Sequence, residues 1–144
     1  MLNISVRRMM RPEKALQLPP ETTVLDAVKK MAEKNVGAVM IVEHENLRGI
    51  FTERDVMCRV LAKELDPAKT CLVQVMTPEP RTVSPDKSYG HALVMMQENG
   101  FRHAPVVENG KPIGIISARN AMDPDLEEFA AEVYRREAMR NEGS

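Results

Sequence analysis

Tryptophan is absent from this 144-residue chain, and aromatic residues reach only 3%, three Phe and two Tyr. The protein therefore absorbs weakly in the near ultraviolet, and any co-purified absorbing ligand would stand out. Only two cysteines occur, Cys58 and Cys71, with no Cys-x-x-Cys and no paired histidines beside them. That spacing argues against a metal site or a disulfide framework and predicts reduced, partly buried thiols. No apolar run approaches the ~20 residues of a membrane span. Met1–Met10 carries Arg7 and Arg8 but no signal-type apolar stretch, so the expected location is the cytoplasm. An excess of one charge is also missing: 20 Lys+Arg face 21 Asp+Glu, a net charge of -1 with both signs interspersed. Without a field of one sign, electrostatic capture of nucleic acid or acidic lipid is excluded. There is no serine elbow, P-loop, G-x-G-x-x-G, Cys/His pair or persuasive carboxylate dyad. The chain has no visible equipment for catalysis. What is present is ordinary: 43% hydrophobic and 28% charged residues, enough for one compact domain or two small ones sharing a core.

The informative feature is an internal repeat. Pro20–Asp55 and Pro85–Asn120 align without gaps at an offset of 65, pairing Ala27 with Ala92, Met31 with Met96, Gly49 with Gly114 and Arg54 with Arg119. Two copies suggest a pseudo-twofold pair in which each unit packs on its sibling. In each copy a hydroxyl cap, at Thr22-Thr23 or Lys87-Ser88, precedes apolar residues at helical spacing: Val24, Ala27, Val28 and Met31, then Tyr89, Ala92, Leu93 and Met96. Met31 and Met96 thus read as core or dimer-face residues, not ligands. Two apolar runs follow, Ala38–Val42 and Leu47–Phe51, or Ala104–Val107 and Ile113–Ile116, each pair expected to form a hairpin with a four-residue loop. Thr52 and Ser117 then open another helix. With the extended segments around Leu16–Pro19 and Arg81–Ser84, each unit reads β-α-β-β-α.

Asp66-Pro67 ends the first unit, since proline disfavours continuing a helix. The expected division is 1–68 for the first repeat, 69–122 for the second and 123–144 for a final amphipathic helix. Asp123 would cap that helix, Pro124 would occupy its first position, and Leu126, Phe129, Ala130, Val133 and Tyr134 would form its apolar stripe. His44, in a hairpin turn, and His91, on a helix, are expected to face solvent.

Each second strand runs into a matching signature, Gly49-Ile50-Phe51-Thr52-Glu53-Arg54-Asp55 and Gly114-Ile115-Ile116-Ser117-Ala118-Arg119-Asn120. Taken singly, Thr-x-x-Asp and Ser-x-x-Asn are capping boxes. Taken together, the repeated glycine suits either a close backbone approach or a special dihedral, and each recurring arginine opposes the helix dipole in the first turn. An anion would relieve that opposition. Free N–H groups, the Thr52 hydroxyl and a forked arginine suit phosphate, while the Asp55 carboxylate suits the two hydroxyls of a ribose. The second copy alone carries a basic pair, Arg102-His103, at the start of its first hairpin strand; a surface arginine and a half-buried histidine are the plain alternative.

On these residues the chain resembles a tandem pair of cystathionine-β-synthase (CBS) domains, a Bateman module, over about residues 6–122. The resemblance implies an α+β fold in which two repeats pack with pseudo-twofold symmetry and leave two clefts. Such clefts take adenosine derivatives such as AMP, ADP, ATP, NAD(H) or S-adenosylmethionine as regulatory ligands, not catalytic cofactors. It implies that Thr52, Arg54 and Asp55 serve one cleft together with Arg102 and His103 from the opposite repeat, and that Ser117, Arg119 and Asn120 serve the other. Asn120 departs from the usual acid and lacks its charge, which implies a weaker or differently selective second cleft. Bases in this family lie against the extended segments, here Ala15–Leu18 and Pro80–Val83. The implied role is a nucleotide sensor that signals through conformation or assembly, as a homodimer built on helix faces carrying Val56, Leu61, Ala121 and Met122, or by regulating a separate enzyme or transporter. The alternative is a degenerate pair acting as a structural adaptor.

Overall fold

A computed structural model describes residues 2–122 and 134–140. The chain begins with a short helix, α1 (Val6–Met9), and a 3-10 turn at Pro12–Lys14, then β1 (Gln17–Leu18). Helix α2 (Val24–Lys34) starts where the Thr23 hydroxyl accepts from the Asp26 N–H at 3.2 Å, and stops at Asn35, whose φ of 54° places it in the left-handed region. Val24, Ala27 and Met31, three and four residues apart, form its buried stripe.

The hairpin β2 (Ala38–Glu43) and β3 (Asn46–Thr52) follows. Its loop is shorter than the sequence suggests. Glu43 pairs with Asn46 in the ladder, leaving only His44 and Glu45 in the turn, both with positive φ. This primed geometry matches strand twist, and the second hairpin adopts it at Asn109-Gly110. Beyond β3 the chain turns into α3 (Glu53–Asp55), which continues as a π-helix over Val56–Leu61.

Leu72–Val75 forms α4 and Thr77–Pro78 forms β4. Helix α5 (Tyr89–Asn99) is capped by Ser88 and ends at Gly100 with φ 73°. Strands β5 (His103–Glu108) and β6 (Lys111–Ser117) make the second hairpin. Both hairpins carry an irregularity at the matching position, between Ile41 and Val42 and between Val106 and Val107. Ser117 opens only a 3-10 turn, Ala118–Met122, where the sequence suggests a full helix. A helix covers residues 134–140; the cap at Asp123, Pro124 and most of the apolar stripe lie outside the described residues. Tyr134 packs against the core of the second repeat.

The protein is thus α+β, with two units related by an approximate twofold. One sheet has the order β1-β2-β3-β4 and the other contains β5-β6, with Val83 bridging to Val106 as β1 pairs with β2. The lead segments are exchanged. Val6, Met9 and Met10 are buried with Tyr89, Ala92, Met96, Val106 and Ile116, whereas Leu72, Val75 and Met76 are buried with Val24, Met31, Ile41 and Phe51. Backbone bonds repeat the exchange: Tyr89 N–H donates to Ile4 and Val6 N–H to Lys87, while Val24 N–H donates to Thr70 and Leu72 N–H to Thr22. Each half therefore completes its core with chain that precedes the other half.

Cys58 is exposed, not partly buried, because the π-helix turns it outward beside Met57; Cys71 is half-buried, and both are free. Val56 is half-buried and packs partly against the first core, whereas Leu61 is exposed. His44 and His91 are exposed. Among the described residues no helix is long and apolar enough to cross a membrane.

Candidate functional site

A cleft of about 530 Å³ opens between the repeats, within the range of small-ligand sites. Its walls come from three places: Ile50 and Thr52–Asp55 at the end of the first hairpin, Thr77 and Glu79–Arg81 from the connecting segment, and Gly100–His103 entering β5. The structure therefore brings Thr52, Arg54 and Asp55 to one crevice with Arg102 and His103. Apolar contact is available from Ile50, Pro80 and Phe101, and charge of both signs lies around it.

Local chemistry explains the poise of the first wall. Thr52 N–H donates to Asp55 Oδ2 at 2.9 Å and Asp55 N–H donates to Thr52 Oγ1 at 3.3 Å, the reciprocal box read from the sequence. Asp55 Oδ1 lies 3.5 Å from Arg59 Nε, and the Asp55 side chain is 15% exposed. Each carboxylate oxygen has two acceptor positions, so acceptor capacity remains on this group beyond its internal partners. Arg59 also donates to the Val75 and Met76 carbonyls at 3.2 and 3.1 Å, tying the turn to the segment that continues as Thr77–Arg81. The sequence reading passed over Arg59, although its i,i+4 spacing from Asp55 is a legible ion-pair signal. It also missed Glu53, Glu79 and Arg81 as lining residues.

One expectation needs correction. Two first-turn amides are not free donors: Glu53 N–H donates to the Gly37 carbonyl at 2.9 Å, and Asp55 N–H donates to Thr52 Oγ1. Ala118 N–H likewise donates to the Arg102 carbonyl at 3.0 Å and Arg119 N–H to Ser117 Oγ at 2.9 Å. Pairing within each repeat satisfies these groups, because the chain entering each hairpin runs alongside the signature that ends the same hairpin. An anion in the cleft would be held chiefly by side chains.

The glycines of the signature are explained by proximity. Neither Gly49 nor Gly114 has positive φ. A Cβ on Gly49 would lie 2.4 Å from Met76 Sδ and 2.8 Å from the Thr77 carbonyl oxygen; on Gly114 it would lie 2.7 Å from Met10 Sδ.

The second signature is built differently. Asn120 Oδ1 accepts from Ser117 N–H at 2.7 Å, and its amide donates to the Met9 carbonyl at 3.3 Å, so both ends of the side chain have partners within the chain. Ser117 and Asn120 are not in the lining of the Asp55 cleft. Arg119 reaches toward that cleft instead: its Nη2 is 3.6 Å from Glu53 Oε1. His103 is held below its ordinary pKa, first by burial, with Arg119 and Arg102 adding to the depression and Glu53 opposing it.

The CBS domain family model matches the chain twice, over residues 6–62 and 72–124. CBS domain-containing protein CBSCBSPB3 of Arabidopsis thaliana is 42% identical over 108 residues, which are 74% of this chain and 19% of that protein. The chain thus spans about a fifth of the length of this and four similar curated relatives from the same plant. An uncharacterized conserved protein from Pyrococcus horikoshii superposes with a TM-score of 0.78 at 26% identity, over 85% of this chain and 92% of that one. A CBS domain protein from Pyrobaculum aerophilum, solved in complex with AMP, has a TM-score of 0.75 at 23% identity, over 90% of this chain and 99% of that one.

Proposed function

This chain belongs to the CBS-domain family, and on that footing we propose that it is a regulatory module that binds an adenine nucleotide, AMP, ADP, ATP or NAD(H), in the Asp55 cleft and reports occupancy through shape or assembly. The observation that carries the reading is the composition of one crevice: an acid from the first repeat opposite an arginine and a histidine from the second, with apolar walls between. Asp55 would accept from the ribose hydroxyls. Thr52, whose hydroxyl proton is free to donate while its oxygen accepts from Asp55 N–H, would join Arg54, Arg102 and His103 at the phosphates. The base would lie against Ile50 and the Pro80 segment. In this role the protein senses and does not catalyse, and it works in the cytoplasm as a homodimer through exposed apolar residues such as Met57 and Leu61, which stand one helical turn apart. A ligand changes shape or assembly only by its differential affinity for the two states.

The test is isothermal calorimetry with AMP, ADP, ATP and NADH on the purified chain. Saturable binding of at least one is expected, and Asp55→Ala and Arg102→Ala should each weaken it about ten- to hundredfold, the worth of a charge-assisted hydrogen bond. No heat with any of the four would end the proposal. A second reading applies to the other signature alone: Asn120 is already engaged with Ser117 and Met9, which favours a structural role for that half and a single ligand per chain.

A further inference from the structure

Glu53 is out of place in an anion site. It lines the cleft between Thr52 and Arg54, yet its carboxylate is directed to the cationic groups that an incoming phosphate would need. Glu53 Oε1 lies 3.6 Å from Arg119 Nη2, and it converges with His103 Nε2 on the open side of Gly37, where an added Cβ would meet them at 3.0 and 3.4 Å. A carboxylate from one repeat thus faces an imidazole and a guanidinium from the other across the gap left by a missing side chain. Glu53 is 62% exposed on its side chain and Arg119 76%, so the pair is held by electrostatics in a wet setting and can open.

We propose that Glu53 is the charge-selectivity residue of this cleft, standing among Arg54, Arg102 and Arg119 so that a nucleoside monophosphate is favoured over the di- and triphosphates. The inference rests on the nucleotide reading above. Glu53 places a negative charge among Arg54 and Arg102 of the lining and Arg119 just outside it, while the Asp55 carboxylate is faced by Arg59 at 3.5 Å. Glu79 and Arg81, also in the lining, offset each other. Every further phosphoryl group adds negative charge that Glu53 repels. Arg119, although it belongs to the second signature, serves the first cleft in this arrangement by holding Glu53 and, once Glu53 is displaced, by facing the phosphate.

Calorimetry in EDTA with AMP, ADP and ATP tests this on the wild type, Glu53→Gln and Arg119→Ala, with thermal melts confirming that each variant is folded and Glu53→Ala held as a second removal of the charge. The wild type should bind AMP more tightly than ADP and ADP more tightly than ATP. Glu53→Gln should raise ATP affinity on the order of tenfold and AMP affinity by no more than about threefold, compressing the preference; Arg119→Ala should weaken all three. A helix-capping or packing role for Glu53 would change the three affinities together. An AMP to ATP preference unchanged in both Glu53 variants overturns the proposal while leaving the nucleotide reading intact, whereas a wild type that binds none of the three overturns both.

Discussion

Gly49 and Gly114 occupy matching places in the two repeats, and replacing each with alanine separates two kinds of crowding. At Gly49 the new Cβ would sit 2.4 Å from Met76 Sδ, 3.0 Å from Met76 Cγ and 2.8 Å from the Thr77 carbonyl oxygen. Met76 is buried in the first core, and Thr77 belongs to β4, whose Pro78 pairs with Gly49 itself. The Met76 side chain can rotate, but the Thr77 carbonyl oxygen is backbone held by the β3–β4 pairing, so the strand itself must shift. Overpacking of this kind costs about 1–3 kcal/mol. Against it stands a gain of about 0.4–1 kcal/mol from the stiffer unfolded chain, since neither glycine needs positive φ. The net loss expected for Gly49→Ala is about 1–2 kcal/mol. At Gly114 the close atom is Met10 Sδ at 2.7 Å, with the next two atoms of the same side chain at 3.6 Å and no backbone among the three nearest atoms. A methionine can swing away, so the net loss should stay below about 1 kcal/mol. Urea denaturation with a common m-value would read the difference, and the melting temperature should fall by about 2–4 °C per kcal/mol. Gly49→Ala should also weaken nucleotide binding, because the displaced strand leads into the Glu79–Arg81 wall of the cleft, whereas Gly114→Ala should not. Equal losses in the two variants, or a larger one at Gly114, would refute the crowding argument.

Two further outcomes are expected. Tyr89 is fully buried and its hydroxyl donates to the Ser117 carbonyl at 2.8 Å, so Tyr89→Phe should cost about 1 kcal/mol in chemical denaturation; no loss would show that this bond does not brace the second signature. His103 is depressed by burial below its ordinary value of 6.5, with Glu53 raising it and Arg119 and Arg102 lowering it, so the unfolded chain binds more protons at mildly acidic pH than the folded one. Its contribution to stability is therefore complete above about pH 6.5 and is lost as pH falls toward the folded-state pKa, and His103→Gln should flatten that slope; an unchanged slope would remove His103 from the account. Phosphate reverses the preference by favouring the imidazolium, so nucleotide binding should take up a proton, visible as a dependence of the calorimetric heat on buffer ionisation enthalpy, and should weaken as pH rises.

Much of this protein is legible in single segments. The caps at Thr23 and Ser88, the buried triplets Val24-Ala27-Met31 and Tyr89-Ala92-Met96, and the Thr52–Asp55 box all involve residues within one or two turns of each other. Both hairpin loops are two residues and not the expected four; Asn109-Gly110 carries a signal for the shorter turn, while His44-Glu45 carries none, because its positive φ values are imposed by the ladder on either side. The duplication places Asp55 and Arg102 in opposite halves, but their sharing of one cleft is implied by the family resemblance and not by the repeat itself.

What the chain's order could not disclose is which half each lead segment serves. α1 and α4 are too short to reveal a destination, and their apolar residues fit either core by composition; only closure of the chain across the twofold assigns Met9 to the second core and Leu72 to the first. The same packing of the two halves carries Arg119 to Glu53. Local order follows from neighbours along the chain and was readable from the sequence; the chemistry of the cleft depends on groups far apart in sequence, whose distances exist only once the two repeats have packed together.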